Sequence, residues 1–500
     1  RKKMRMIRKT LVAAAALMMI ISCSRQQETE FFTGRVDFPV EPYLGVKEAM
    51  AARLIPHPRQ LEWQQMEMTA FIHFSINTFT DREWGTGKES PELFNPVSLD
   101  AEQWVRVLSE AGMKMIIITA KHHDGFCLWP TRTTTHSVAS SPWKNGQGDV
   151  IRELRDACEK YGMKFGVYLS PWDRNAECYG NSPEYNRLYM EQLTELLTWY
   201  GKVDEVWFDG ANGEGHDGRR QEYDWQAYYD LIRKLQPDAV TAIMGEDVRW
   251  VGTESGYGRE TEWSATVMAP GGTPESAAIN KALGIDAMSA DLGSSNLLSK
   301  AEHLFWYPAE VDVSIRPGWF WHASEDSLVK DVSKLADIYL SSVGRNAVLL
   351  LNVPPDNRGL ITDHDIRSLQ GLRAWIDNLY AVDLLNGARP YGQGTSNLID
   401  NDNTTTWSPR HNRVASFVPA IAATFNVAML QEDITRGQRV EKFIIEALCE
   451  KMWDTIATGT TIGYKRMIRF PEVKADEIRL TIISSRSTPH ISTFALYHAD

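Results

Sequence analysis

Cysteine is scarce in this chain. Cys23, Cys127, Cys158, Cys178 and Cys449 are scattered through 500 residues with no C-x-x-C pair. That spacing supports neither a disulfide framework nor a thiolate metal site, and the last four are expected to be free, buried thiols. Positive charge is also in deficit: 53 Lys and Arg face 65 Asp and Glu, a net charge of −12. Nucleic-acid binders usually carry a basic patch, so no nucleic-acid partner is expected. The apolar run from Leu11 to Ile21 is too short to span a bilayer comfortably. No G-x-G-x-x-G follows the first candidate strand, which argues against a dinucleotide-binding open sheet. No repeat of fixed period and no low-complexity tract interrupts the mature part.

What is present is ordinary for a protein with a large core: 43% hydrophobic and 24% charged residues. Most of the 17 tryptophans are expected to pack that core, leaving a few to stack on a sugar or base in a cleft. The N-terminus has a basic stretch (Arg1, Lys2, Lys3, Arg5, Arg8, Lys9), then the apolar run, then "IISC" ending at Cys23. This resembles a bacterial lipoprotein signal, which would be cleaved before Cys23 and lipidated there; an ordinary secretory signal with an incidental cysteine is the alternative. Either reading makes the chain exported, to the periplasm, the outer membrane or the cell surface. Residues 1–23 are read as the signal and 24–45 as a polar tether.

From about residue 50, apolar runs alternate with helical patterns. Candidate strands are 68–75, 113–120, 164–170, 203–209, 239–245 and 347–353; continuous apolar runs suit strands covered on both faces. Between them lie helix patterns at 100–112 and 148–162, opened by Asp100 and Asp149 and closed by Gly112 and Gly162. Others follow at 182–201, 224–237 and 327–344. Repeated strand–helix–strand units imply a parallel sheet. About eight strands over some 330 residues fit a TIM-like (β/α)8 barrel with long loops, assigned to 46–386. Strands six and seven are left unplaced, because 246–326 shows little periodicity. From 387 to 500 short alternating segments dominate (439–448, 460–470, 477–484, 492–498), the pattern of an all-β sandwich.

Barrel enzymes keep their reacting groups at the C-terminal ends of the strands. Here those ends carry His73, then His122, His123 and Asp124, then Tyr168, then Asp209, then a loop with Glu246, Glu254, Glu260 and Glu262. Each has a bland reading. Asp209 before Gly210 could form a turn, and Glu254 could be a flexible loop residue. Glu246-Asp247 reads as a solvated pair. Adjacent His122 and His123 would point to opposite faces of a strand, so a shared metal ion is awkward. The collection on one rim is harder to explain than any one member.

The motifs "HFSINTF…EWG", "TAKHHDGFCLWPT", "GVYLSPWDRN", "VWFDGANG" and "DVRWVGTESGYGRETEW" resemble, in order, the alpha-L-fucosidases of glycoside hydrolase family 29. Arg249-Trp250 and the following stretch are similar to the branch that prefers α-1,3- and α-1,4-linked fucose on branched, Lewis-type glycans. The resemblance implies a retaining glycosidase with Asp209 as nucleophile and Glu254 as acid/base. It implies a fucose subsite lined by His73, Glu83, Trp84, His122, His123 and Tyr168, with Trp319 (or Trp321) against the sugar's apolar face. Where that branch usually has Asn before the glutamate, this chain has Thr253. The implied partners are fucosylated oligosaccharides or glycoconjugates; no metal or cofactor is implied, since two carboxyl groups supply acid and nucleophile. "NLIDNDNTTTWSP" (397–409) resembles the discoidin type of sandwich. The competing readings are a retaining hydrolase of another sugar, such as an α-galactoside, and an inactive glycan-binding surface lipoprotein.

Overall fold

The computed structural model describes residues 30–40 and 43–499; the leader, Cys23 and the start of the tether lie outside the described residues. Eight strands form the centre: β1 Met68–Ile72, β2 Met115–Lys121, β3 Lys164–Leu169, β4 Glu205–Phe208, β5 Val240–Ile243, β6 Arg249–Trp250, β7 Ala309–Ser314 and β8 Ala347–Asn352. Their order is β5-β4-β3-β2-β1-β8-β7-β6, every pair parallel. A bridge between Ala242 and Val248 brings the two ends of the sheet together. The helices α1 Ala101–Glu110, α2 Val150–Tyr161, α3 Ser182–Trp199, α4 Trp225–Leu235, α5 Val332–Ser342 and α6 Asp363–Leu379 follow β1, β2, β3, β4, β7 and β8. This is the expected barrel architecture.

The strands are apolar throughout because both faces are covered. Met115 and Ile117 point into the barrel with Phe71, Trp207 and Leu350. Ile116 and Ile118 point outward, into the layer formed with α1 and α2 through Trp104, Leu108, Ile151 and Leu154. The helix starts follow the expected capping chemistry: Asp100 accepts the Gln103 N–H at 3.0 Å, and Asp149 accepts that of Arg152 at 2.8 Å. Gly162 ends α2 in the left-handed region at φ 67°.

β6 and β7 account for the gap in the sequence reading. β6 is only two residues long and follows β5 after five residues, with no helix between. The chain then leaves the barrel for 251–308, where Arg35–Asp37, Ala265–Thr266 and His303–Trp306 form a small antiparallel sheet. β7 then reads A-E-V-D-V-S, with Glu310 and Asp312 both buried. Glu310 accepts the Trp207 indole N–H at 2.8 Å, and on β4 Glu205 accepts that of Trp63 at 2.9 Å. Burial raises both acids, Glu205 to about 8 and Glu310 well above the usual carboxylate range. They are therefore carried as neutral acids inside the barrel.

Three local expectations need correction. The stretch 24–45 is not tether throughout: Phe32–Thr33 pairs with Leu54–Ile55, and Arg35–Asp37 joins the small sheet with Val36 buried. Its alternation of apolar and polar residues is that of a half-buried strand. Asp247 is not a solvated loop residue. It is buried and paired with both Arg59 and Arg233. Of the four described cysteines, all free, Cys127 and Cys158 are buried but Cys178 and Cys449 only half-buried.

The C-terminal region holds β9 Arg389–Tyr391, β10 Val414–Val418, β11 Phe425–Glu432, β12 Val440–Cys449, β13 Met452–Gly459, β14 Arg466–Val473, β15 Glu477–Ser485 and β16 Ile491–Tyr497. They form two antiparallel sheets, ordered β9-β10-β15-β12-β13 and β14-β11-β16, around a core that includes Phe417, Phe443, Leu480 and Phe494. The run 460–470 is not one strand. β13 ends at Gly459, and Gly463, at φ 65° and pressed against the Asn346 side chain, turns the chain before β14 starts. Val427, Met429, Met467 and Tyr497, on the smaller sheet, share one apolar core with the barrel's outer layer.

Candidate active site

A pocket of about 120 Å³ opens at the C-terminal end of the barrel, lined by Phe71, His73, Glu83, Trp84, His122, His123, Trp207, Asp209, Ala211, Glu254, Asp312 and Trp319. It is smaller than the several hundred Å³ of a drug-sized site and suits a single sugar ring. Eight of the nine residues expected at this site line it directly. Tyr168, the ninth, lies beneath Asp209.

Asp209 follows β4 immediately. Its Oδ1 accepts the Ala211 N–H at 2.7 Å and its Oδ2 the Tyr168 hydroxyl at 3.1 Å. The turn and the buried tyrosine thus fix both oxygens, while the side chain stays about a quarter exposed toward the pocket. Burial, together with Asp209, holds the Tyr168 hydroxyl protonated, so it acts as a donor.

The three histidines are neutral. Burial brings His73 down to about 3 and His122 well below its usual value. Burial also lowers His123, although the Asp209 carboxylate pulls the other way. His73 Nδ1 lies 2.8 Å from Asn352 Oδ1. That oxygen only accepts, so Nδ1 carries the proton and Nε2 is left with its lone pair. His123 Nδ1 lies 2.7 Å from Ser170 Oγ. The Ser170 proton goes to the Trp172 carbonyl at 2.6 Å, so His123 also keeps its proton on Nδ1 and faces Asp209 Oδ2, at 3.8 Å, with Nε2. Both rings therefore offer acceptors to sugar hydroxyls.

The expectation that His122 and His123 face opposite ways fails. β2 ends at Lys121, with an irregular register between Thr119 and Lys121. Past the strand end the alternation lapses, and the two rings lie 4.1 Å apart on one side.

Glu83 holds the pocket wall as well as lining it. Its two oxygens accept the backbone N–H groups of Trp319 at 2.8 Å and Phe320 at 3.1 Å, and His322 Nε2 lies 2.7 Å from Oε1. Asn352 donates to the Trp319 carbonyl at 2.7 Å. Trp319 is thereby fixed from two sides, and its indole N–H reaches Glu254 Oε2 at 3.3 Å. Trp321 does not line the pocket. Trp84 is exposed and meets His123 and Trp172 edge-on, each at 5.5 Å.

Of the four glutamates in the long loop, Glu254 alone lines the pocket. Glu262 is buried in ion pairs with Arg249 and Arg259, Glu260 is held by Arg345 and Arg466, and Glu246 lies beside Arg233. Sequence reasoning missed four of the lining residues, Phe71, Trp207, Ala211 and one acid, Asp312. It is buried on β7 and accepts the Trp250 indole N–H at 2.7 Å. Burial raises it to about 7, with further contributions from Glu254 and Asp209. The signal was the alternation of acids along β7.

Residues 49–379 match the model of the alpha-L-fucosidase family. The chain belongs to that family. An alpha-L-fucosidase of Arabidopsis thaliana is 41% identical over 464 residues, covering 89% of this chain and 87% of its own length. A Bacteroides ovatus protein, named as a candidate alpha-L-fucosidase, has a crystal structure similar to this one. The identity is 57% and the TM-score 0.88, over 94% of this chain and 78% of the other. A glycoside hydrolase family 29 fucosidase of Ruminococcus gnavus, solved in complex with fucose, is 30% identical with a TM-score of 0.79, over 89% and 95%. The enzyme is thus a glycoside hydrolase of family 29, with alpha-L-fucosidase activity.

Proposed function

We propose that this fucosidase releases terminal α-1,3- or α-1,4-linked L-fucose from branched, Lewis-type glycans by a retaining, double-displacement reaction. The observation that carries the proposal is that Asp209 and Glu254 line one sugar-sized pocket together with the neutral imidazoles of His73 and His122. Asp209, its oxygens held by Tyr168 and Ala211, attacks the anomeric carbon. Glu254 gives its proton to the departing oxygen, and a fucosyl ester forms on Asp209. Glu254, now a carboxylate, takes a proton from water as that water attacks the same carbon, which frees fucose and regenerates both groups. The aromatic side of the pocket, Phe71, Trp207 and Trp319, suits the methyl group that fucose carries in place of a C6 hydroxyl and favours it over an α-galactoside. The linkage preference rests on the likeness of 247–263 to the branched-glycan group.

A panel of fucosylated oligosaccharides, with and without the branching galactose, tests this reading through released fucose. Branched α-1,3 and α-1,4 substrates should turn over at least about tenfold faster than α-1,2-linked ones, a difference of roughly 1.4 kcal/mol in transition-state binding. Preference for the α-1,2 linkage would overturn the proposal.

We also propose that the chain is exported as a lipoprotein anchored at Cys23. Cys23→Ser should then move the protein from the membrane fraction to the soluble or unprocessed one. Equal retention of both forms after salt and carbonate washes would exclude the anchor.

A further inference from the structure

The segment that carries Glu254 has little of its own to hold it. Its tip, Thr253–Ser255, is exposed between Gly252 and Gly256, which take φ values of 102° and 87°. A Cβ on Gly252 would stand 2.4 Å from the Ala287 carbonyl oxygen, and one on Gly256 2.9 Å from Ile338, so the chain bends here where only glycine fits. Within the tip, the hydroxyls of Thr253 and Ser255 meet at 2.9 Å, and Glu254 has the single indole bond from Trp319.

Past the tip the segment is fastened first to the barrel, where the Gly258 N–H donates to the Ser341 carbonyl at 2.6 Å and Arg345 donates to the Gly258 carbonyl at 2.9 Å, and from Glu260 onward also to the C-terminal sandwich. Glu260 takes Arg345 of the barrel on one oxygen and Arg466 of β14 on the other, the latter at 2.8 Å. Thr261 and Thr460 share a hydroxyl contact at 2.8 Å, and the Glu262 N–H donates to Thr461 Oγ1 at 3.0 Å. Gln438 donates to the Glu262 carbonyl at 3.0 Å and accepts the Ser264 N–H at 2.7 Å. Gln438, Thr461 and Arg466 are buried. An exposed ion pair counts for little, but a buried guanidinium needs its partner, and only 6% of the Arg466 side chain is exposed. The smaller sheet is seated on the barrel through a shared apolar core, so this fastening does not slide.

We propose that the sandwich is a positioning element of the reaction: Arg466, Gln438 and Thr461 set where the segment leaves the barrel wall and so fix the reach of Glu254 into the pocket. This rests on Glu254 being the acid/base. A proton donor works only within hydrogen-bond reach of its acceptor, and a misplacement of about 1 Å can cost up to about a hundredfold in rate.

Three variants of the full chain test it: Glu260→Gln, Arg466→Met and Arg466→Lys. Glu260 is largely exposed, so Glu260→Gln keeps the fold even if Arg466→Met does not. Amide exchange over 252–257 should rise about tenfold in Glu260→Gln and Arg466→Met, with Arg466→Lys recovering most of the protection. Turnover of a branched oligosaccharide should fall about tenfold in the same two, while the first step with an aryl fucoside, read as the rate of the phenolate burst and needing little proton help, stays within about twofold. Unchanged exchange in folded Glu260→Gln overturns the proposal. So does faster exchange with the first step of both substrates slowed alike. Failure of the acid/base reading itself shows separately, as a Glu254→Ala enzyme with no dependence on leaving group, while the exchange data still report whether the sandwich holds the segment.

Discussion

Asp209→Ala should lose about a thousandfold or more in turnover of every fucoside, roughly 4 kcal/mol of barrier. The truncation removes the atom that would bond to the anomeric carbon. It should not unfold the barrel, because Asp209 lies past the end of β4 and remains partly exposed. Tyr168 loses its acceptor, but removing the carboxylate above its buried hydroxyl opens a space continuous with the pocket, where water can replace the lost oxygen. Small anions sharpen the test. Azide can occupy the vacated space and attack an activated aryl fucoside from the Asp209 face, giving a fucosyl azide of inverted configuration. Recovery of turnover with that product identifies the missing group as the nucleophile. Near-normal activity of Asp209→Ala on all fucosides would move the role to another carboxylate, and Asp312 would be the next to test, since of the two other acids lining the pocket Glu83 has both oxygens taken by backbone N–H groups.

Asp209 and Asp312 also show what sequence can and cannot reveal. Asp209 ends an apolar run and precedes glycines, and a carboxylate where a buried strand stops demands a reason. Asp312 sits inside a strand, one alternation from Glu310, and β7 follows a 58-residue excursion from the barrel. Acids at alternate positions look like the wet face of an edge strand. Here they face a barrel interior that accepts them because burial raises both toward the neutral form and each receives an indole N–H on one oxygen. His122 and His123 were legible as chemistry but not as geometry, because the rule of alternation stops where β2 does. Glu83 could be placed near the sugar, yet nothing local shows that it holds the backbone of Trp319, 236 positions away. The contacts between 260–264 and 438–466 are equally invisible. They join segments almost 200 residues apart, and no periodic pattern encodes such a meeting.

Glu254→Ala should separate substrates by leaving group. A natural glycan departs as a basic alkoxide and needs a proton at the moment of bond breaking. A nitrophenolate departs unaided. General acid catalysis contributes about 10² to 10⁴ in rate, so hydrolysis of oligosaccharides should fall by at least about a hundredfold. The first step with an aryl fucoside should survive. The second step should slow, because the same carboxylate would have activated the water. The fucosyl ester on Asp209 then accumulates, and the enzyme gives a burst of phenolate followed by slow turnover with a lowered apparent KM. Azide discriminates again. It should enter from the face that Glu254 left and attack the ester, so the fucosyl azide retains configuration, the opposite of the Asp209→Ala product. The structure supplies the controls. Glu246 lies off the pocket beside Arg233, and Glu246→Ala should behave as the parent. Glu260→Gln leaves the Glu254 carboxylate in place, so it should show no azide rescue even where oligosaccharide turnover falls. If Glu254→Ala slowed natural and activated substrates equally, with no burst and no retained azide product, Glu254 would not be the acid/base, and its hydrogen bond to the Trp319 indole would stand as a structural contact alone.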